Sequence, residues 1–195
     1  MILKQLLSSQ ASSLTKRFKK RHNEIWDIVA YGSAVRGKIS ARDVDIAIIL
    51  THKINLGQKL ELAQELKHSL KKLLLFEADV KAIDLQDLLD PLFAARKAIL
   101  AEGFSLIKKK RLAELFGFSP FYIFTYSLKG LSHSRKIMFR YALRGRRGQK
   151  GLLEINKCEQ LGRGVIKVPL EHSEELKSFF EKQKIRYNAH ACLFY

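Results

Sequence analysis

Two apolar runs open the pattern. Residues 24–31 (EIWDIVAY) stop at Gly32, and residues 43–50 (DVDIAIIL) are rich in β-branched side chains; both predict buried strands. Between residues 55 and 76 the period changes. Leu56, Leu60, Leu62, Ala63, Leu66, Leu70, Leu73 and Leu74 recur at helical spacing and predict a long amphipathic helix. Residues 78–85 (ADVKAIDL) read as a third strand. Residues 86–101 read as a helix that starts around Pro91 or one turn earlier and is stopped by Gly103. Residues 104–107 suit a short edge strand. At the N-terminus Ile2, Leu3, Leu6, Leu7, Leu14 and Phe18 fall on one helical face, interrupted by Lys4 and Gln5, which predicts an amphipathic helix rather than a signal peptide.

The basic run at residues 108–111 marks a boundary, and the pattern behind it differs. Residues 112–143 read as helical, with breaks at Gly117, Pro120 and Gly130. Residues 144–151 (RGRRGQKG) form a glycine-rich basic loop, and residues 164–168 a strand ended by Pro169. Ser173 is placed to cap a helix with Glu174 and Glu175 in its first turn and Leu176, Phe179 and Phe180 on its buried face. A last strand spans residues 187–195. The expected organisation is an α/β (α+β) chain of two domains, residues 1–110 and 111–195.

Composition narrows the classes. With 195 residues, 47% of them hydrophobic, the chain can bury a real core. No apolar run approaches the length that crosses a bilayer, so no membrane partner is expected. Cys158 and Cys192 form no metal-binding spacing, and two thiols without a secretion signal suggest a reducing, cytoplasmic setting. His133, His172 and His190 are dispersed and read as structural or solvent-facing. The net charge of +17 favours a polyanionic partner. The charge is uneven: residues 1–120 carry 21 basic and 13 acidic side chains, and the shorter stretch 121–195 carries 15 and 6.

Candidate chemistry concentrates where the first strand ends. Gly32 permits a sharp turn and the close approach of a phosphate. A short helix beginning near Ser33 would aim free N–H groups at that phosphate, with the Ser33 hydroxyl adding a bond and Arg36 and Lys38 screening its charge. Asp43 and Asp45, two apart on a strand, share a face at a spacing of roughly 6–7 Å, which suits a pair of Mg²⁺ ions. A third carboxylate at Asp79, at the start of the third strand, can complete the site. Glu77 on the same face and Asp84 on the opposite face are its alternatives.

The order of strand, Gly32-Ser33, Asp43-Val44-Asp45 and a later strand bearing Asp79 resembles the polymerase β-like nucleotidyltransferase superfamily, nearest to the minimal nucleotidyltransferases of prokaryotes. The resemblance covers residues 1–107, including Leu92-Phe93 and Glu102-Gly103 near its end. Arg42 departs from it, where many relatives carry a small polar residue. The resemblance implies a short mixed sheet with helices packed against one face. It also implies a reaction in which an acceptor hydroxyl attacks the α-phosphate of an NTP and pyrophosphate leaves. Gly32 and Ser33 would hold the β- and γ-phosphates, Asp43 and Asp45 both Mg²⁺ ions, and Asp79 the ion that activates the acceptor. Small nucleotidyltransferases of this kind can also pair with a helical toxin and silence it, so an antitoxin role is the alternative. A catalytically inert nucleic-acid-binding module is a third reading.

Between Lys129 and Lys150 eight basic residues occur with no acidic one. Arg135, Lys136, Arg140, Arg144, Arg146 and Arg147 are the candidate contacts to RNA or DNA phosphates. Phe139 and Tyr141 interleave with them, although Ile137, Met138 and Tyr141 are the expected buried face of a helix.

Overall fold

The computed structural model describes residues 2–36 and 43–195. The chain divides into two compact units, Met1–Phe118 with Tyr195, and Ser119–Phe194. The division falls beyond the basic run at residues 108–111, because Leu112 and Ala113 are buried within the first unit.

In the first unit the elements run α1 (Ile2–Leu6), α2 (Ser9–Arg21), β1 (Ile25–Tyr31), β2 (Asp43–Leu50), α3 (Leu56–Lys71), β3 (Glu77–Ile83), α4 (Leu85–Leu89), α5 (Arg96–Glu102), β4 (Phe104–Ser105) and α6 (Leu112–Leu115). The sheet is mixed, in the order β3-β2-β1-β4; β2 and β3 are parallel and the other pairs antiparallel. Strand alternation divides the side chains between two cores. Ile28, Ala30, Val44, Ile46, Ile48, Ala78 and Val80 pack with Phe18 of α2 and with Leu62, Leu66 and Leu70 of α3. Val29, Tyr31, Ala47, Ile49 and Ile83 point the other way and meet Leu88, Ile99 and Leu112. The two longest helices of this unit thus lie on one face, and the short helices α4 to α6 cover part of the other.

Local chemistry sets the helix starts. Asn55 and Gln58 exchange side-chain-to-backbone bonds at the head of α3 (2.9 and 3.3 Å), a capping box. Leu56, Leu60 and Leu73 share the helical spacing of the stripe but are exposed. The helix expected over residues 86–101 is two helices, α4 and α5. Asp90 accepts a bond from Leu92 N–H (2.8 Å) in a turn around Pro91, whose ring supplies no N–H to continue a helix. Asp84 caps α4, and Lys59 Nζ reaches both Asp84 (2.9 Å) and Asp87 (2.7 Å), tying the first turns of α3 and α4 together.

Asp27 is a fully buried acid in β1. The Ser105 hydroxyl and the Ile28 N–H donate to it, which pins β1 to the end of β4. Burial pushes its carboxyl above the ordinary value of 3.8, against the lowering effect of those bonds. The folded state therefore binds this proton more tightly than the unfolded chain. Stability should fall as pH rises from the ordinary carboxylate range through the raised folded value. Urea unfolding of Asp27→Asn across pH should lose that downward segment.

The second unit runs β5 (Ser119–Ser127), α7 (His133–Arg144), β6 (Gly145–Arg146), β7 (Gln149–Lys150), α8 (Leu152–Ile155), β8 (Glu159–Gly162), β9 (Val165–Pro169), α9 (Ser173–Lys182) and β10 (Arg186–Phe194). Its four-stranded sheet has the order β10-β5-β9-β8 and is antiparallel throughout. Leaving aside the small β6–β7 hairpin and α8, the connectivity is βαββαβ, the split-βαβ plan. Tyr122, Phe124, Ile166 and Val168 form a core with Phe139 and Leu143 of α7 and Leu176 and Phe180 of α9.

Three expectations are corrected here. The segment 112–143 is not helical throughout, since residues 119–127 are the central strand β5. Ser173 does not cap α9; its hydroxyl donates to Leu170 O (2.8 Å) from the first helical position, and His172 stands at the cap. On α7 the buried residues are Phe139 and Leu143, whereas Met138 and Tyr141 are exposed. Among the described residues, no helix is long and apolar enough to cross a membrane.

Candidate active site

The strand β1 delivers the chain to Gly32, whose φ of 80° lies in the left-handed region. A Cβ at this position would also displace the Asp45 carboxylate oxygen, so the backbone demands glycine and any side chain here would disturb Asp45. The Val35 and Arg36 N–H groups donate back to Gly32 O at 3.1 and 3.3 Å. Residues 33–36 therefore form a turn, and the rest of the short helix expected from Ser33 lies outside the described residues. Ser33 is half-buried within this turn. Lys38 and Arg42 lie outside the described residues.

Register brings the acids together. Asp45 is opposite Tyr31 across the antiparallel pair and opposite Asp79 across the parallel pair; Asp43 is opposite Glu77. Tyr31, Asp43, Asp45, Glu77, Asp79 and Lys81 consequently share one face of one end of the sheet, beside Gly32. Their fields are coupled. Burial pushes the Asp45 carboxyl up, Asp43 and Asp79 push it further, and Lys81 and Arg36 act against this. The Tyr31 hydroxyl is pushed up to about 12 by burial, then by Asp45 and Asp79.

Two cations beside the acids, Lys81 and Arg36, are engaged by acidic partners. Lys81 Nζ lies 3.2 Å from Asp79 Oδ2. Arg36 pairs with Glu102 at 2.6 Å, and Glu102 is almost wholly buried. Among the described residues, no three His, Cys, Asp or Glu side chains converge tightly enough to ligate a single ion. Of the two alternatives to Asp79, Asp84 is consumed in the α4 cap, while Glu77 is exposed on the acids' own face. Tyr31 and Lys81 were not singled out from the sequence, yet the two-residue period of β1 and β3 places both beside the acids. Nothing local in the sequence announces Glu102 as the partner of Arg36.

In the second unit Arg135 donates to Gln183 O (3.0 Å) and Arg144 to the Gln160 side-chain oxygen (2.9 Å). Arg146 stacks over the Tyr141 ring at 4.5 Å. Arg140 and Arg147 are exposed, and Lys136 is half-buried.

Residues 13–112, half of the chain, match the family model described as polymerase beta, nucleotidyltransferase. The chain belongs to this family. Its nucleotidyltransferase domain accounts for the mixed sheet with helices packed against it. Among solved structures, a toxin–antitoxin complex with AMP-PNP is similar at 20% identity over 51% of this chain and 73% of its own, with a TM-score of 0.36. Another solved structure, of a protein from Shewanella oneidensis, is similar at 21% identity over 54% of this chain and 76% of its own, with a TM-score of 0.35. A third holds a tri-AMPylated HEPN toxin of Shewanella oneidensis with its MNT antitoxin, at 20% identity over 49% and 67%, with a TM-score of 0.33. No curated protein matches the chain significantly.

Proposed function

We propose that this nucleotidyltransferase moves a nucleoside monophosphate from an NTP to an acceptor hydroxyl in the cytoplasm, with nucleic acid as the acceptor. The reading rests on one observation: Asp45 and Asp79 stand in register on adjacent strands, with Asp43 on the same face and the Gly32 turn against Asp45. The bond formed is acceptor oxygen to the α-phosphorus. The bond broken joins that phosphorus to the bridging oxygen of pyrophosphate, and the hydroxyl proton leaves to a carboxylate or to water. Gly32 and Ser33 hold the β- and γ-phosphates, with Arg36 and Lys38 contributing positive charge nearby.

A carboxylate pushed up by burial and by acids beside it, as Asp45 is, is suited to a hard cation. Asp43 and Asp45 would hold two Mg²⁺ ions, and Asp79 would join them on turning from Lys81. Bound Mg²⁺ supplies charge neutralisation at the transferring phosphate and activation of the hydroxyl. The protein's own part is positioning. Pyrophosphate release from Mg-NTP, measured with RNA, protein and small-molecule hydroxyls, should be well above that of Asp43→Ala/Asp45→Ala. Equal rates on every acceptor would overturn the reading.

One observation favours an antitoxin-like role as a second reading. Leu56 and Leu60 of α3 and Leu85 and Leu89 of α4 are exposed by 53–71%, each pair one helical turn apart, and Lys59 ties the two helices together. Such leucines suit a helical protein partner. A small helical protein encoded next to this chain should co-purify with the wild type and be released by Leu60→Glu/Leu89→Glu. Unchanged co-purification of the double variant would remove the reading.

A further inference from the structure

The second unit offers two surfaces, and they are chemically unlike. The sheet face turned away from α7 and α9 presents β5 and β9 at its centre. Its central aromatic, Phe121, is only 4% exposed; Phe194 packs on its ring at 4.8 Å and Lys167 lies over it at 4.9 Å. At that exposure neither face of the Phe121 ring is open to a base, whereas a ring with a cation on one face and water on the other still is.

The outer surface of α7 is the reverse. Met138 is 65% exposed and Tyr141, one turn on, is 37% exposed, so the helix presents apolar surface to water. Arginines border it. Arg144 is held by the neutral side chain of Gln160, and Arg146 lies over Tyr141. A guanidinium carries five N–H donors, so one bond to a neutral oxygen neither cancels its charge nor exhausts its capacity. The β6–β7 hairpin then projects Arg147 at its tip, with φ of 50°. Its base is rigid, since Gly145 and Gly151 pack backbone to backbone with no space for a Cβ on either. From α7 through β7 the chain has seven basic residues and no acid.

We infer that α7 and the β6–β7 hairpin form a binding surface for single-stranded nucleic acid, with Arg140, Arg144 and Arg147 on phosphates and Tyr141, backed by Arg146, stacking on a base. Duplex would engage the arginines alone, because its bases are already stacked. The exposed tyrosine therefore points to an unpaired strand. This deepens the nucleic-acid acceptor named above and rests on that reading for its purpose, though not for its occurrence.

Fluorescence anisotropy of labelled single-stranded and duplex oligonucleotides with the full chain tests it, with RNA and DNA versions of each as separate arms. Arg140→Ala/Arg147→Ala should weaken every oligonucleotide by at least ~10-fold and reduce the steepness of the log Kd against log salt plot by about 2. Tyr141→Ala should weaken single strands by roughly 5-fold or more and leave duplex unchanged. Arg186→Ala/His190→Ala, on the opposite sheet face, should bind as wild type does. The titrations contain neither NTP nor Mg²⁺, so a failed catalytic reading leaves this result standing. Equal affinity for duplex and single strand, or indifference to the arginine pair or to Tyr141, would overturn the assignment.

Discussion

Asp45→Asn is expected to lower NTP turnover about a thousandfold while leaving the fold intact. The size follows from the several kcal/mol that metal ions contribute to phosphoryl transition states, at about 1.4 kcal/mol per tenfold. Asparagine keeps the shape of the side chain and removes one negative charge from the half-buried position opposite Tyr31 and Asp79. Because Asp45 is repelled by Asp43 and Asp79, the neutral amide should not reduce metal-free stability, and the melting temperature should equal or exceed that of wild type. Turnover is followed by pyrophosphate release and folding by calorimetry, on the same preparation. Turnover within tenfold of wild type would remove Asp45 from the site, and a collapsed melting transition would make the loss of activity structural.

Phe180→Ala should be the most damaging single truncation in the second unit, by about 3–5 kcal/mol. The ring is fully buried and sits at the centre of an aromatic cluster. Its centroid lies 5.2 Å from Tyr126 and from Tyr187, 5.9 Å from Phe124, and 5.9 Å from Phe139. These belong to β5, β10 and α7, so one ring joins α9 to three other elements. Its removal leaves a cavity that rigid neighbouring rings cannot fill, and it also forfeits the aromatic pair energies. Chemical denaturation should show the loss; a change below about 1 kcal/mol would mean that the cluster repacks around the gap.

The sequence was readable where its periods were clean. β2 coincides with DVDIAIIL because the acids at its start and the β-branched run after them leave one interpretation. α3 was legible for the same reason, although the register of its stripe was blurred by Leu56, Leu60 and Leu73, leucines that spacing alone could not separate from core. β5 was missed because Phe121, Tyr122, Ile123 and Phe124 are apolar on both faces. A continuous apolar run of that length does not distinguish strand from buried helix. Its aromatic and β-branched content was the signal available. On α7 the expected face of Ile137, Met138 and Tyr141 gives way to Phe139 with Leu143, a choice set by the cluster around Phe180. In the candidate site, strand parity puts Asp43 and Asp45 on one face and separates Asp79 from Asp84, but it does not separate Asp79 from Glu77, which shares its parity. The Arg36–Glu102 pair spans 66 residues, a relation set by the packing of α5 that no local motif encodes.

The two-residue alternation in β2 has an outcome for how this chain can fail. Sliding β2 by one position would turn Val44 and Ile46 to the water-facing end and drive both acids into the layer beneath α3. Such a chain would lose its chemistry and its solubility in one movement. Selection against misfolding and selection for turnover therefore act on the same alignment, and a folded but misaligned, silent form of the domain has no stable place to exist.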